Sequence, residues 1–81
     1  MPVVPVRLFA GAAAEYGADA ATAEGATVAE AVADLCTGAS ERAVTVIGRS
    51  SLLVNAVACR DTAQVLHEGD RIDVLPPFAG G

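Results

Sequence analysis

Thr27-Val28-Ala29-Glu30 opens the stretch that most narrows what this chain can fold into. A threonine followed three residues later by glutamate is a capping box, in which two side chains occupy N–H groups that the first helical turn leaves open. Behind it Val28, Ala31, Val32, Leu35 and Cys36 fall at i, i+3, i+4, i+7 and i+8. That is one apolar stripe along a helix ending near Thr37, with Gly38 past its end. A helix with a single stripe needs a surface to cover. In 81 residues there is room for one domain, so that surface is a sheet built from the other apolar runs.

Val3 to Phe9 alternates as a strand, with Val4, Val6 and Leu8 on one face and Val3, Arg7 and Phe9 on the other. Pro5 lacks an N–H, so regular pairing is expected to start near Val6. Ala12 to Tyr16 predicts a short helix closed by Gly17, and Asp19 to Gly25 a short strand. Val44-Thr45-Val46-Ile47 has strand propensity, yet a helical turn over Ser40 to Val46 also turns Ala43 and Val46 to a core. The helix is preferred, with an irregular exit at Gly48. Leu52 to Asn55 and Val57 to Cys59 read as strands about a tight turn at Asn55-Ala56. Leu66 to Asp70 is a turn in which Gly69 supplies positive φ, and Arg71 to Leu75 is the last strand. Ile72 and Val74 face one way there; Arg71, Asp73 and Leu75 face the other. The fold class is therefore α+β, a mixed sheet of about five strands packed on one main helix.

Pro76 and Pro77 end that last strand, because two consecutive prolines remove two ladder donors. Residues 1–76 form the domain and residues 77–81 a tail. Beyond the prolines only Phe78 offers a sizeable apolar group, so Phe78-Ala79-Gly80-Gly81 is expected to be a free, extended segment. Its four residues reach about 13 Å, enough to enter another protein's active site. Glycine at positions 80 and 81 leaves the final carboxylate unhindered. An α-carboxyl has a pKa near 3.5, so at neutral pH it is an anion and a poor electrophile until activated, for instance as an acyl-adenylate.

Composition removes several other functions. The net charge is −5, with five basic residues that are all arginine, and no basic cluster that would neutralise nucleic-acid phosphates. Lacking lysine, the chain offers no side-chain amine, so an isopeptide bond could form on it only at its N-terminus. It has no P-loop, which requires a lysine, and no Rossmann fingerprint, so nucleotide handling falls to a partner. Cys36 and Cys59 have no metal-ligand or C-x-x-C spacing and are expected to be small core residues; no metal site is expected. His67 sits in a turn with no nucleophile suggested beside it. No stretch is long and apolar enough for a membrane span, and no signal sequence is evident, so a cytoplasmic location is expected.

Val6-Arg7-Leu8-Phe9-Ala10, the capped helix, Leu53-Val54-Asn55, Leu66-x-x-Gly69-Asp70-Arg71-Ile72 and Leu75-Pro76-Pro77-Phe78-Ala79-Gly80-Gly81 together resemble the MoaD/ThiS family of ubiquitin-like sulfur carriers, in particular the small subunits of molybdopterin synthase. The likeness covers essentially the whole chain. It implies the β-grasp fold and a role for Gly81 as the group that is adenylated and then thiocarboxylated. Gly80, Ala79 and Phe78 would thread the partner's channel. It further implies an E1-like (MoeB-like) adenylyltransferase that uses ATP, a sulfurtransferase, and a MoaE-like large subunit in which sulfur passes to a pterin precursor. No cofactor would be bound by this chain. Sulfur supply to thiamin thiazole, cysteine or tRNA thiolation is the near alternative, and a protein modifier joined through Gly81 the more distant one. Phe9, Leu53 and Leu75, from strand parity, are the candidate partner patch on the sheet face away from the helix. The chain departs from the family's usual pattern at Phe78, where a small aliphatic residue is common, and at Asn55-Ala56, where Asn-Gly is.

Overall fold

The computed structural model describes residues 1–77. Phe78, Ala79, Gly80 and Gly81, to which the threading and activation roles are assigned, lie outside the described residues. The elements run β1 (Val3–Leu8), α1 (Ala10–Tyr16), β2 (Ala20–Glu24), α2 (Val28–Cys36), α3 (Glu41–Arg49), β3 (Ser51–Val54), β4 (Val57–Ala58) and β5 (Ile72–Leu75). The five strands form one mixed sheet in the order β2-β1-β5-β3-β4, with β1 and β5 parallel at its centre. This is the expected fold class.

β1 buries Val4, Val6 and Leu8, as its alternation requires. Its pairing begins earlier than expected on one side. With β2 it is antiparallel from Val3 opposite Glu24 to Arg7 opposite Ala20, whereas with β5 it starts only at Val6 opposite Ile72. The N–H of Leu8 donates to Asp19 on the β2 side and that of Phe9 to Val74 on the β5 side. Alternate N–H groups face alternate neighbours. The donor that Pro5 lacks therefore points towards β5, just before that ladder starts, and no bond is lost.

The capping box of α2 forms with one shift. Thr27 Oγ1 accepts from the N–H of Glu30 at 3.3 Å, and Glu30 Oε1 accepts from the N–H of Ala26 at 3.1 Å, one residue ahead of the usual reciprocal donor. The first two helical N–H groups, of Val28 and Ala29, donate to the carbonyls of Gln64 and Thr62. A distant loop thus completes the cap. Val28, Ala31 and Leu35 are buried and Val32 and Cys36 pack at the edge of the core, so the stripe is as expected. Gly25 lies under the first turn: a Cβ there would sit 2.5 Å from the backbone nitrogen of Ala31, an approach only glycine permits.

α3 continues through Gly48 to Arg49, beyond the expected exit. Ser40 caps it by accepting from the N–H of Ala43 at 3.1 Å. Ala43 and Ile47, one helical turn apart, are buried against the core side, with Val46 packed beside them. Burying Ile47 is worth about 1.5 to 3 kcal/mol, which exceeds the roughly 1 kcal/mol penalty for glycine in a helix. That balance also overrides the strand propensity of Val44 to Ile47. α3 is consequently as long as α2, and it packs against α1.

Cys36 and Cys59 are unpaired thiols, each half-buried at the edge of the core. Burial pushes the Cys36 thiol above its ordinary pKa. His67 projects from its turn, 76% exposed, and no helix of the described residues is long and apolar enough to cross a membrane.

Candidate functional site

β5, the central strand of the sheet, carries the chain to Leu75 and the two prolines. Its last pairings are Val74 beside Leu8 and Leu75 opposite Ser51, and the final bond on the β1 side runs from the N–H of Phe9 to Val74 at 3.2 Å. Pro76 and Pro77 follow with no N–H to offer, so the ladder stops there.

Strand parity places Arg7, Asp73 and Leu53 abreast on the sheet face opposite the core, because Arg7 pairs with Asp73 and Asp73 with Leu53. Leu75 lies two residues further along β5 on the same face. Phe9, Leu53 and Leu75 are all half-buried, and none of them contributes to the central core cluster. They share one face but not one depression. Phe9 and Leu75 line a groove of about 660 Å³ together with Ala10, Gly11, Val46, Arg49, Pro76 and Pro77, whereas Leu53 does not reach it. Ala10 has φ of 49°, a left-handed turn that swings the chain from β1 into α1 and gives the groove one wall.

Sequence reading missed the polar centre of this face. Asp73 is only 5% exposed. It accepts a hydrogen bond from Arg7 Nε at 3.2 Å, and the same guanidinium lies 5.4 Å from the centroid of the Phe9 ring. A buried carboxylate needs a partner of this kind, and the stacked, anchored Arg7 in turn holds Phe9 in place. Parity gave both charges the same face, but only the register of β1 against β5 makes them neighbours.

The opposite end of β5 is fastened by side chains. Asp70 Oδ1 accepts from the Asn55 amide at 2.8 Å and Oδ2 from the N–H of His67 at 2.8 Å, while Asn55 Oδ1 accepts from the N–H of Arg71 at 3.1 Å. The Asn55 amide, then the His67 N–H, hold the Asp70 carboxyl below the usual carboxylate range. Gly69, at φ of 90°, lets the preceding turn close. Gly69 and Asp70 thus serve turn geometry, as the sequence indicated.

Among the described residues, then, the candidate site is a sheet face with apolar groups around one ion pair, beside a strand that is anchored at its start and followed by two prolines. A mixed five-stranded sheet in this order around a capped helix is the β-grasp architecture of ubiquitin-like proteins. Residues 6–81 match the ThiS family, and the chain belongs to that family of ubiquitin-like sulfur carriers. Among curated protein sequences none matches significantly. Solved structures do. The chain is similar to small archaeal modifier protein 1 from Methanosarcina acetivorans, at 23% identity and a TM-score of 0.86, covering 100% of this chain and 98% of that one. It is also similar to a protein-protein complex of subunits 1 and 2 of the molybdopterin-converting factor from Helicobacter pylori, at 22% identity and a TM-score of 0.71, covering 98% and 99%. A third is the BexX/CysO complex of Amycolatopsis orientalis, at 22% identity and a TM-score of 0.77, covering 96% and 99%. At such identities the likeness concerns the fold.

Proposed function

We propose that this protein is a sulfur carrier that acts as the small subunit of a cytoplasmic molybdopterin synthase. The observation that carries the proposal is the exit of β5. A sheet face on which Phe9, Leu53 and Leu75 surround the Arg7–Asp73 pair adjoins two prolines, and the family match continues through Gly81. In this reading the Gly81 carboxylate attacks the α-phosphorus of ATP on an E1-like (MoeB-like) partner, and pyrophosphate leaves. Sulfide sulfur supplied by a sulfurtransferase then attacks the carbonyl carbon, and AMP leaves with the old carboxylate oxygen. The resulting thiocarboxylate carries a soft, polarizable nucleophile into a MoaE-like large subunit for transfer to a pterin precursor. This chain contributes no catalytic side chain to the sequence. Phe9, Leu53 and Leu75 would be the docking patch, with Phe78, Ala79 and Gly80 threading the channel.

Intact-mass analysis tests the proposal directly. Incubation with the activating enzyme, ATP and a sulfur source is expected to yield a species with one oxygen replaced by sulfur, mapped to Gly81. An unchanged mass would overturn it. Co-purification of a pterin-binding large subunit, rather than enzymes of thiamin thiazole, cysteine or tRNA thiolation, identifies the acceptor.

Similarity to an archaeal modifier protein favours a second reading, conjugation through Gly81 to amines of other proteins. Without a lysine, this chain would join each target singly and could extend only through an N-terminal amine. Lysine peptides that carry the remnant Ile72 to Gly81, left by cleavage after Arg71 in a digest of the native host, would establish it.

A further inference from the structure

The groove beside the tail exit has an occupant close at hand. Its walls are apolar, from Phe9, Val46 and Leu75, apart from one cation, Arg49, in the last turn of α3. Among the described residues Arg49 has no carboxylate within ion-pair distance; the arginine that has one is Arg7, 3.2 Å from Asp73. Pro76 and Pro77 themselves form part of the wall, so the backbone passes along the groove's rim and the next residue is Phe78. One apolar ring followed within three residues by a carboxylate matches one apolar groove with one arginine that no described carboxylate pairs.

We infer that in the free carrier this groove receives the chain's own C-terminal segment, with the Phe78 ring against Val46 and Phe9 and the Gly81 carboxylate towards Arg49. The carboxylate half rests on the carrier reading above, in which Gly81 is a free acid; the ring half does not. A segment tethered one residue away is already at high effective concentration, so contacts too weak to hold a separate molecule suffice. A separate peptide or a second copy would first lose its translational freedom. The inference revises the expectation of a tail that is free in every state, and it gives the unusual Phe78 a role. It also couples two events. Phe9 and Leu75 belong both to the groove and to the outer sheet face, so a partner that docks on that face competes with the parked tail and releases it where it is needed.

Nuclear magnetic resonance on the full chain, without any enzyme, tests this. Phe78→Ser is expected to move the Val46 methyl and Gly11 amide resonances and to increase fast motion at Gly80 and Gly81. Resonances of core residues such as Val4 and Leu35 should not change, which verifies the fold. Arg49→Gln is expected to loosen Gly81 while leaving the Val46 shift in place. Identical Val46 and Gly11 resonances in the wild type and Phe78→Ser, with equal motion at Gly81, would overturn the inference. So would shifts that vary with protein concentration, since these would put a second copy in the groove. Sulfur loading is scored separately by mass, so loss of the carrier reading and loss of the parked tail give different patterns.

Discussion

The two ends of β5 are built on opposite principles. At its start, Asn55, His67 and Asp70 tie two turns together through three hydrogen bonds between 2.8 and 3.1 Å. At its finish, Leu75 gives way to two prolines that donate nothing, beside an open groove. Only four residues separate these ends. The contrast shows which end of the strand is held by side chains. Side chains fix the strand where it enters the sheet, whereas at its finish Val74 and Leu75 are held through the backbone ladder alone.

If that division holds, damage at the two ends should separate into loss of function and loss of stability. The largest effect is expected at the exit: removing Gly81, or adding one residue after it, should abolish sulfur loading while the thermal midpoint stays at its wild-type value. A shifted midpoint, or retained loading, would break the comparison. At the anchored end, Asn55→Ala removes two hydrogen bonds to the turn, one of them to a carboxylate, and puts alanine at φ of 52°. Together these should cost about 2 kcal/mol, a fall of roughly 10 °C in the midpoint of thermal unfolding. Sulfur loading per folded molecule should be unaffected, which calorimetry and a loading assay at low temperature check together.

Much of this arrangement was legible in the sequence because it is local. The Thr27/Glu30 cap, the stripe from Val28 to Cys36, the alternation of β1 and the arrest at Pro76 each depend on residues close together in the chain. What escaped depends on residues far apart. The side of β1 on which Pro5's missing donor falls, the Arg7–Asp73 pair, and the caps that Thr62 and Gln64 provide for α2 are set by register and loop placement. No periodicity encodes these. The run through Gly48 escaped for a different reason: local propensity favoured an exit, and burial of Ile47 outweighed it. At the candidate site, parity found the face that carries Phe9, Leu53 and Leu75, but not the groove, which requires α3 to reach Arg49.

A smaller, pH-confined effect sharpens the account of the anchored end. The Asp70 carboxyl is held below its ordinary value in the folded chain, chiefly by the Asn55 amide. Its ionised form therefore favours folding: this contribution is complete above the unfolded-state value and disappears as pH falls through the folded one. Asp70→Asn should consequently be less stable than the wild type at neutral pH, with the gap narrowing below about pH 4. Denaturant titrations across that window measure it. A gap that stays constant down to acid unfolding would mean that the bonds, not the charge, hold the turn.

The smallest effect compares two strained alanines, one at each end of β5. Asn55 and Ala56, at φ of 52° and 68°, are the central pair of a two-residue hairpin turn, a geometry in which the second position favours glycine. Ala10, at φ of 49°, makes the left-handed step beside the exit groove. Ala56→Gly relieves a penalty of about 1 to 2 kcal/mol and forfeits part of it to the extra freedom of unfolded glycine, for a net gain of about 1 kcal/mol. Ala10→Gly relieves strain of the same kind, at a residue that likewise lies outside the right-handed helical region, so a similar net gain of about 1 kcal/mol is expected. Thermal melts should place Ala56→Gly and Ala10→Gly each roughly 4 to 8 °C above the wild type. A gain at only one of the two positions would show that the other turn draws compensation from its surroundings, so that the two ends of β5 differ in more than their hydrogen bonding.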